Sequence, residues 1–142
     1  MAKRRSAVQP AVPALVWSSP LFDPSGYADE ARNFLLGLNR LGIRARANPI
    51  TWNPRTVDLA PDDGQVLHEL TQTPVEPGYM HVQHIFPTAF KRDPAALASI
   101  GRTMYETDRI PTDWVAQCNV MDQIWVPSDF EAPAMTHFVL SR

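Results

Sequence analysis

The chain has 142 residues, 44% of them hydrophobic and 20% charged, with a formal net charge of -2 and a pI of about 6.0. That length makes one domain the default and buries a sizeable core. The near-neutral balance leaves no electrostatic footprint for nucleic acid or an anionic membrane. No apolar run approaches the roughly 20 residues a membrane span needs. The lone Cys118 excludes a disulfide framework within the chain, which fits a reducing compartment.

Residues 1–12 read as a disordered lead-in. Lys3, Arg4 and Arg5 followed by a short apolar run mimic a signal peptide, but Pro10 and Pro13 break the run. We therefore expect a cytoplasmic protein. The domain is expected to occupy residues 13–142. Proline is frequent, 14 of 142 residues, and the prolines fall between apolar runs as punctuation.

Ala14–Ser18 predicts a short buried strand. Ser25 is a helix N-cap candidate, with Asp29 and Glu30 in a first turn where the helix dipole favours acids. Phe34, Leu35, Leu38 and Leu41 form the apolar stripe, and Gly42 ends the helix. Ile43–Ala47 alternates and predicts a second strand. This is a strand–helix–strand unit, whose usual form is a right-handed parallel crossover. Residues 48–60 read mostly as loop. A short helix is expected from Pro61 through Leu67, Leu70 and Thr71, then a turn-rich link to a strand at Tyr79–Phe86.

Residues 88–98 read as irregular or briefly helical, and Ile100–Tyr105 as a strand. Glu106–Pro111 is its exit loop. A helix over Thr112–Met121 should turn Trp114, Val115 and Cys118 inward. A strand at Gln123–Val126 and a helix from Phe130 toward Val139 follow. This order predicts an α/β fold: one Rossmann-like three-layer domain with a mostly parallel sheet. Ligands in such sheets bind outside the carboxyl ends of the strands. Three polar loops lie there, at 20–27, 86–88 and 106–111.

Each loop has two readings. Gly26 sits at a strand-to-helix turn, where backbone amides can approach a phosphate, or where a plain helix cap needs a tight turn. The dinucleotide pattern is absent, since Gly26 stands alone and no acid follows the second strand. His81 and His84 fall on opposite faces of an alternating strand and cannot share a metal. His84, nearer the carboxyl end, is either a substrate contact or general base, or a buried, hydrogen-bonded histidine. His68 and His137 read as helix-surface or packing positions. Glu106 and Asp108 flank Thr107 and can converge on one ligand, or pair with Arg109 in a solvated loop. Cys118, inside a helix with no basic neighbour, reads as an inert thiol. No metal-ligand spacing occurs, so neither a metal nor a bound cofactor is expected.

Three runs together resemble the N-terminal half of GT-B-type glycosyltransferases, family 4-like. They are SGYADEARNFLLGLNRLGI, HVQHIFP, and GRTMYETDRIPTDWVAQCNVMDQIWVPSDF, the last being the most specific. The resemblance covers nearly all of Ala14–Phe130. It implies an acceptor-side domain that faces a second domain binding a nucleotide-sugar, with metal-independent transfer in the cleft between them. It places Gly26 and Tyr27 beside the donor phosphates, and His84, Glu106, Thr107, Asp108 and Arg109 on the acceptor wall. The chain ends at Arg142, before the donor domain, its basic residues and its paired glutamates. We therefore expect a truncated or split product that does not turn over alone and needs that donor domain, possibly on a separate chain. A non-catalytic remnant or interaction module is the alternative.

Overall fold

The computed structural model describes residues 12–105 and 109–129. Among them, five strands and three helices follow in the order β1 (Leu15–Ser19), α1 (Gly26–Arg40), β2 (Ala45–Pro49), α2 (Pro61–Thr71), β3 (Tyr79–His84), β4 (Ala96–Arg102), α3 (Thr112–Asn119) and β5 (Gln123–Trp125). The strands form one sheet in the order β2-β1-β3-β4-β5, every pair parallel. The fold is α/β, as expected of a single Rossmann-like domain, and the sheet is wholly rather than mostly parallel.

α1 forms because both its ends are chemically closed. The Ser25 side chain accepts the Ala28 amide at 3.2 Å. At the other end Gly42 takes φ +71, which only glycine adopts without cost. Its amide reaches Asn39 O and the Ile43 amide reaches Leu38 O, so the last carbonyls are satisfied. The buried stripe of α1 is Tyr27, Ala28, Ala31 and Leu35. Of the expected stripe, Phe34 is 40% exposed with its ring stacked on Trp17, and Leu41 lies beyond the helix. Glu30 also departs from its expected role, because only Asp29 lies in the first turn.

Alternation along the strands sorts the core into two halves. Trp17, Ala45, Ala47, Val82 and Ile100 face α1 and α2, packing on Ala31, Leu35, Leu67 and Leu70. Leu35 and Leu67 are fully buried, each contributing about 1.5–3 kcal/mol. The other half gathers Ile85, Phe90, Ile110, Trp114, Cys118 and Met121, with α3 and the one-turn 3-10 helix Pro87–Ala89. Gly101 faces this half. An added Cβ there would lie 2.3 Å from Phe90 Cε2, so the ring occupies the space a side chain would need.

Most expected boundaries move by one or two residues, as β3 does in ending at His84 rather than Phe86 and α3 at Asn119 rather than Met121, and β4 moves further. β4 begins at Ala96, not Ile100, and ends at Arg102 rather than Tyr105. It therefore replaces part of the irregular stretch expected at 88–98. β2 runs on through Asn48 and Pro49. Proline is tolerated there because β2 is an edge strand. The expected helix from Phe130 and almost all of the lead-in lie outside the described residues.

Candidate functional site

β1 has β2 on one side and β3 on the other, so successive connections leave the sheet in opposite directions. Such a reversal opens a crevice at the carboxyl ends of the central strands. The loop after β1, α1's first turns, Phe86 after β3 and Thr103–Tyr105 after β4 border it.

Tyr27 stitches these parts together. Its hydroxyl lies 3.0 Å from Thr103 Oγ1 and accepts the Met104 amide at 3.3 Å. Its ring meets Trp52 edge-on at 5.3 Å and Phe86 at 5.2 Å. Phe86 continues to Trp114 at 5.9 Å, and Trp114 to Tyr105 at 4.8 Å. Phe86 is 43% exposed, while Trp52 and Tyr105 are half-buried. The rim is therefore an aromatic shelf with one open face.

Beneath the shelf lies a charged cluster on buried ground. Glu30 of α1 takes the guanidinium of Arg102 through Nη2, with Nε at 3.4 Å from the other oxygen. That oxygen stands 2.7 Å from His84 Nε2. The histidine approach is short but is not aligned as a hydrogen bond. His84 has no exposed side-chain surface, and its ring rests 5.3 Å from that of Tyr27. Burial lowers the His84 pKa to about 4. Glu30 opposes the shift and Arg102 reinforces it. The imidazole is thus neutral near pH 7, although a carboxylate touches it.

Arg32 braces the loop after β1, donating to the carbonyls of Leu21 and Asp23 at 2.9 and 3.0 Å. The buried Asp23 carboxylate takes the Ser25 amide at 2.7 Å. Gly26 opens α1, is exposed, and has open space where a Cβ would sit.

The structure thus brings Tyr27 and His84 together at the carboxyl edge, Tyr27 through its hydroxyl and His84 through Glu30. Gly26 adjoins them at the helix start. Arg109 is exposed after β4. Glu106, Thr107 and Asp108 lie outside the described residues. His81 faces the opposite side of the sheet from His84, as alternation predicts, and lies 2.8 Å from Ser18 Oγ. His68 is exposed and stacks on Phe22. Cys118 is fully buried, and burial raises its thiol to about 11, which suits an inert role.

Sequence reasoning overlooked Glu30 and Arg102. One signal was available. Glu30 falls three residues after Tyr27 and four before Phe34, on the inward side of the helix, where an acid needs a partner.

Among the described residues, no group of three or more His, Cys, Asp or Glu could hold a metal ion, and no helix is long and apolar enough to cross a membrane. No family model, curated protein or solved structure matches the chain.

Proposed function

We propose that this domain is the acceptor side of a GT-B-type, cytoplasmic glycosyltransferase that moves a sugar from a nucleotide-sugar to an acceptor hydroxyl. The observation that carries the reading is the aromatic shelf of Tyr27, Trp52 and Phe86 at the crevice. Aromatic faces take the apolar C–H face of a pyranose, and the open face of Phe86 offers such a surface. The resemblance described above supplies the reaction class.

In this reading Gly26 and Tyr27 border the donor phosphates. Glu106, Thr107, Asp108 and Arg109 hold the acceptor. His84 acts from beneath, keeping Glu30 and Tyr27 in place. The donor nucleotide is bound by the facing domain, on this polypeptide or another. The leaving diphosphate is stabilised by helix amides and basic groups.

Saturation-transfer NMR of the chain with a panel of mono- and disaccharides at millimolar concentration tests the acceptor side directly. Transfer to sugar C–H protons is expected, and it should weaken at least several-fold in Phe86→Ala. Absence of transfer from the whole panel, or transfer indifferent to Phe86 and Trp52 replacement, overturns the reading and favours a non-catalytic interaction module.

A further inference from the structure

The opposite face of the sheet holds a second constellation. Ser18 on β1 points away from α1, and its Oγ lies 2.8 Å from His81 Nε2 on the neighbouring strand β3. On the far side of the ring, His81 Nδ1 lies 2.8 Å from Asp93 Oδ2. The Asp93 carboxylate is itself fixed. Tyr79 donates its hydroxyl to Oδ2 at 2.8 Å, and the Ala95 amide donates to Oδ1 at 2.9 Å. Gln83 clamps the same segment, taking the Lys91 amide at 2.9 Å and donating back to the Lys91 carbonyl.

We propose that Ser18, His81 and Asp93 form a nucleophile–base–orienter triad, and that the cleft above them accepts carboxylic esters with a short apolar acyl group. A hydroxyl within hydrogen-bond reach of an imidazole that a third group orients is the arrangement covalent acyl transfer requires. The cleft has a volume of about 360 Å³; beside the triad its lining includes the apolar Ile50, Ile85, Ala89 and Pro94 and the basic Lys91 and Arg92. Ser18 and His81 lie across the sheet from the Glu30–His84–Arg102 cluster, and the triad's chemistry does not draw on the glycosyltransferase reading.

The groups are in suitable protonation states. Burial lowers the His81 pKa, against the pull of Asp93, so the ring is a neutral acceptor. Burial works against ionised Asp93, but Tyr79, the Ala95 amide and His81 together hold its carboxyl below the ordinary range. The Asp93 oxygen is off the line of the ring N–H, so it selects the tautomer chiefly by charge. Asn48 donates to Ser18 Oγ at 3.0 Å. In the proposed reaction the same amide turns from Oγ to the oxygen on the carbon bonded to it. Ser18 lies on a strand paired on both sides, so the oxyanion is met by this side chain rather than by backbone amides.

In the reaction the Ser18 oxygen attacks the ester carbonyl as its proton passes to His81 Nε2. The carbonyl π electrons move onto oxygen, facing Asn48. Collapse expels the alcohol, which takes the proton from His81, and leaves an acyl-Ser18 ester. Water, deprotonated by His81, releases the acid and restores the hydroxyl.

A fluorophosphonate probe on the full chain, with intact mass and peptide mapping, tests this. One adduct is expected, on Ser18, and none in Ser18→Ala. His81→Gln should slow labelling by about 10²–10⁴-fold, with its fold verified by urea midpoint. Asp93→Asn should lower the maximal labelling rate while leaving the half-saturating probe concentration unchanged. A variant that loses only structure changes both. Acid quench during p-nitrophenyl butyrate turnover should trap one butyryl group on Ser18 of the wild-type chain. No adduct on the native wild-type chain, an adduct mapped elsewhere, or labelling indifferent to His81 overturns the proposal.

Discussion

The neutral, buried His84 makes stability fall on mild acidification, and the size of the fall follows from its surroundings. The ring has no exposed surface and faces Glu30 of α1, Arg102 of β4 and the ring of Tyr27. Its pKa of about 4 compares with an ordinary 6.5. The folded value lies below the unfolded one, so the unfolded chain binds more protons between these two pH values. Stability is therefore complete above about pH 7 and is lost as pH falls toward 4. From pH 7 to pH 5 this one group costs about 2 kcal/mol, approaching about 3 kcal/mol at lower pH. That is a large share of a small domain's total stability.

His81 is shifted in the same direction and contributes in the same window, so wild-type data alone cannot isolate His84. The measurement is urea unfolding at pH 7 and pH 5 for the wild type and His84→Gln. The difference between the two pH values should shrink by about 2 kcal/mol in the variant. If both proteins lose the same amount, His84 is already protonated or solvated in the fold. The buried neutral imidazole beneath the crevice would then be wrong.

Gly101→Ala should destabilise by about 1–3 kcal/mol in urea, because the new methyl meets Phe90 ring carbons at 2.3 and 2.6 Å and Ile124 Cδ1 at 2.9 Å. Adding Phe90→Leu should recover part of that loss, a non-additivity read by a double-mutant cycle. Tyr27→Phe removes the hydroxyl shared with Thr103 and Met104 and should cost about 1 kcal/mol. Ser25→Ala should cost about 1 kcal/mol through the lost α1 cap. Cys118 should resist a thiol-reactive disulfide reagent in the native chain and react at once in denaturant, as its burial and raised thiol pKa require.

Local chemistry was legible where one residue decides an element. Ser25 by its hydroxyl, Gly42 by its positive φ and Pro61 by its ring punctuate helices α1 and α2. β4 was partly hidden for an equally local reason. Ala95, Ala96 and Ala98 have no strand preference of their own, and Ala96–Ser99 becomes strand only by pairing with Tyr79–His81. The site was less legible still. Glu30 and Arg102 are 72 positions apart, and Ser18 and His81 are 63 apart. No short-range pattern connects such pairs. Their meeting is set by strand order, which alternation along a single strand does not specify.

Parity along β3 explains how one small sheet holds two separate polar clusters. Met80, Val82 and His84 face the α1 side, while His81, Gln83 and Ile85 face the other. A one-residue slip of β3 against β1 would exchange the two sets, placing Gln83 against α1 and His84 in the cleft. The register Val16↔His81 and Trp17↔Val82 prevents that slip through buried Trp17 and Val82. The same hydrophobic pairing that holds the core thus keeps His84 dry beside Glu30 and His81 beside Ser18. A substitution that loosens β1 against β3, such as Val82→Ala, is expected to damage both sites together. Phe86→Ala and Ser18→Ala should each affect one alone.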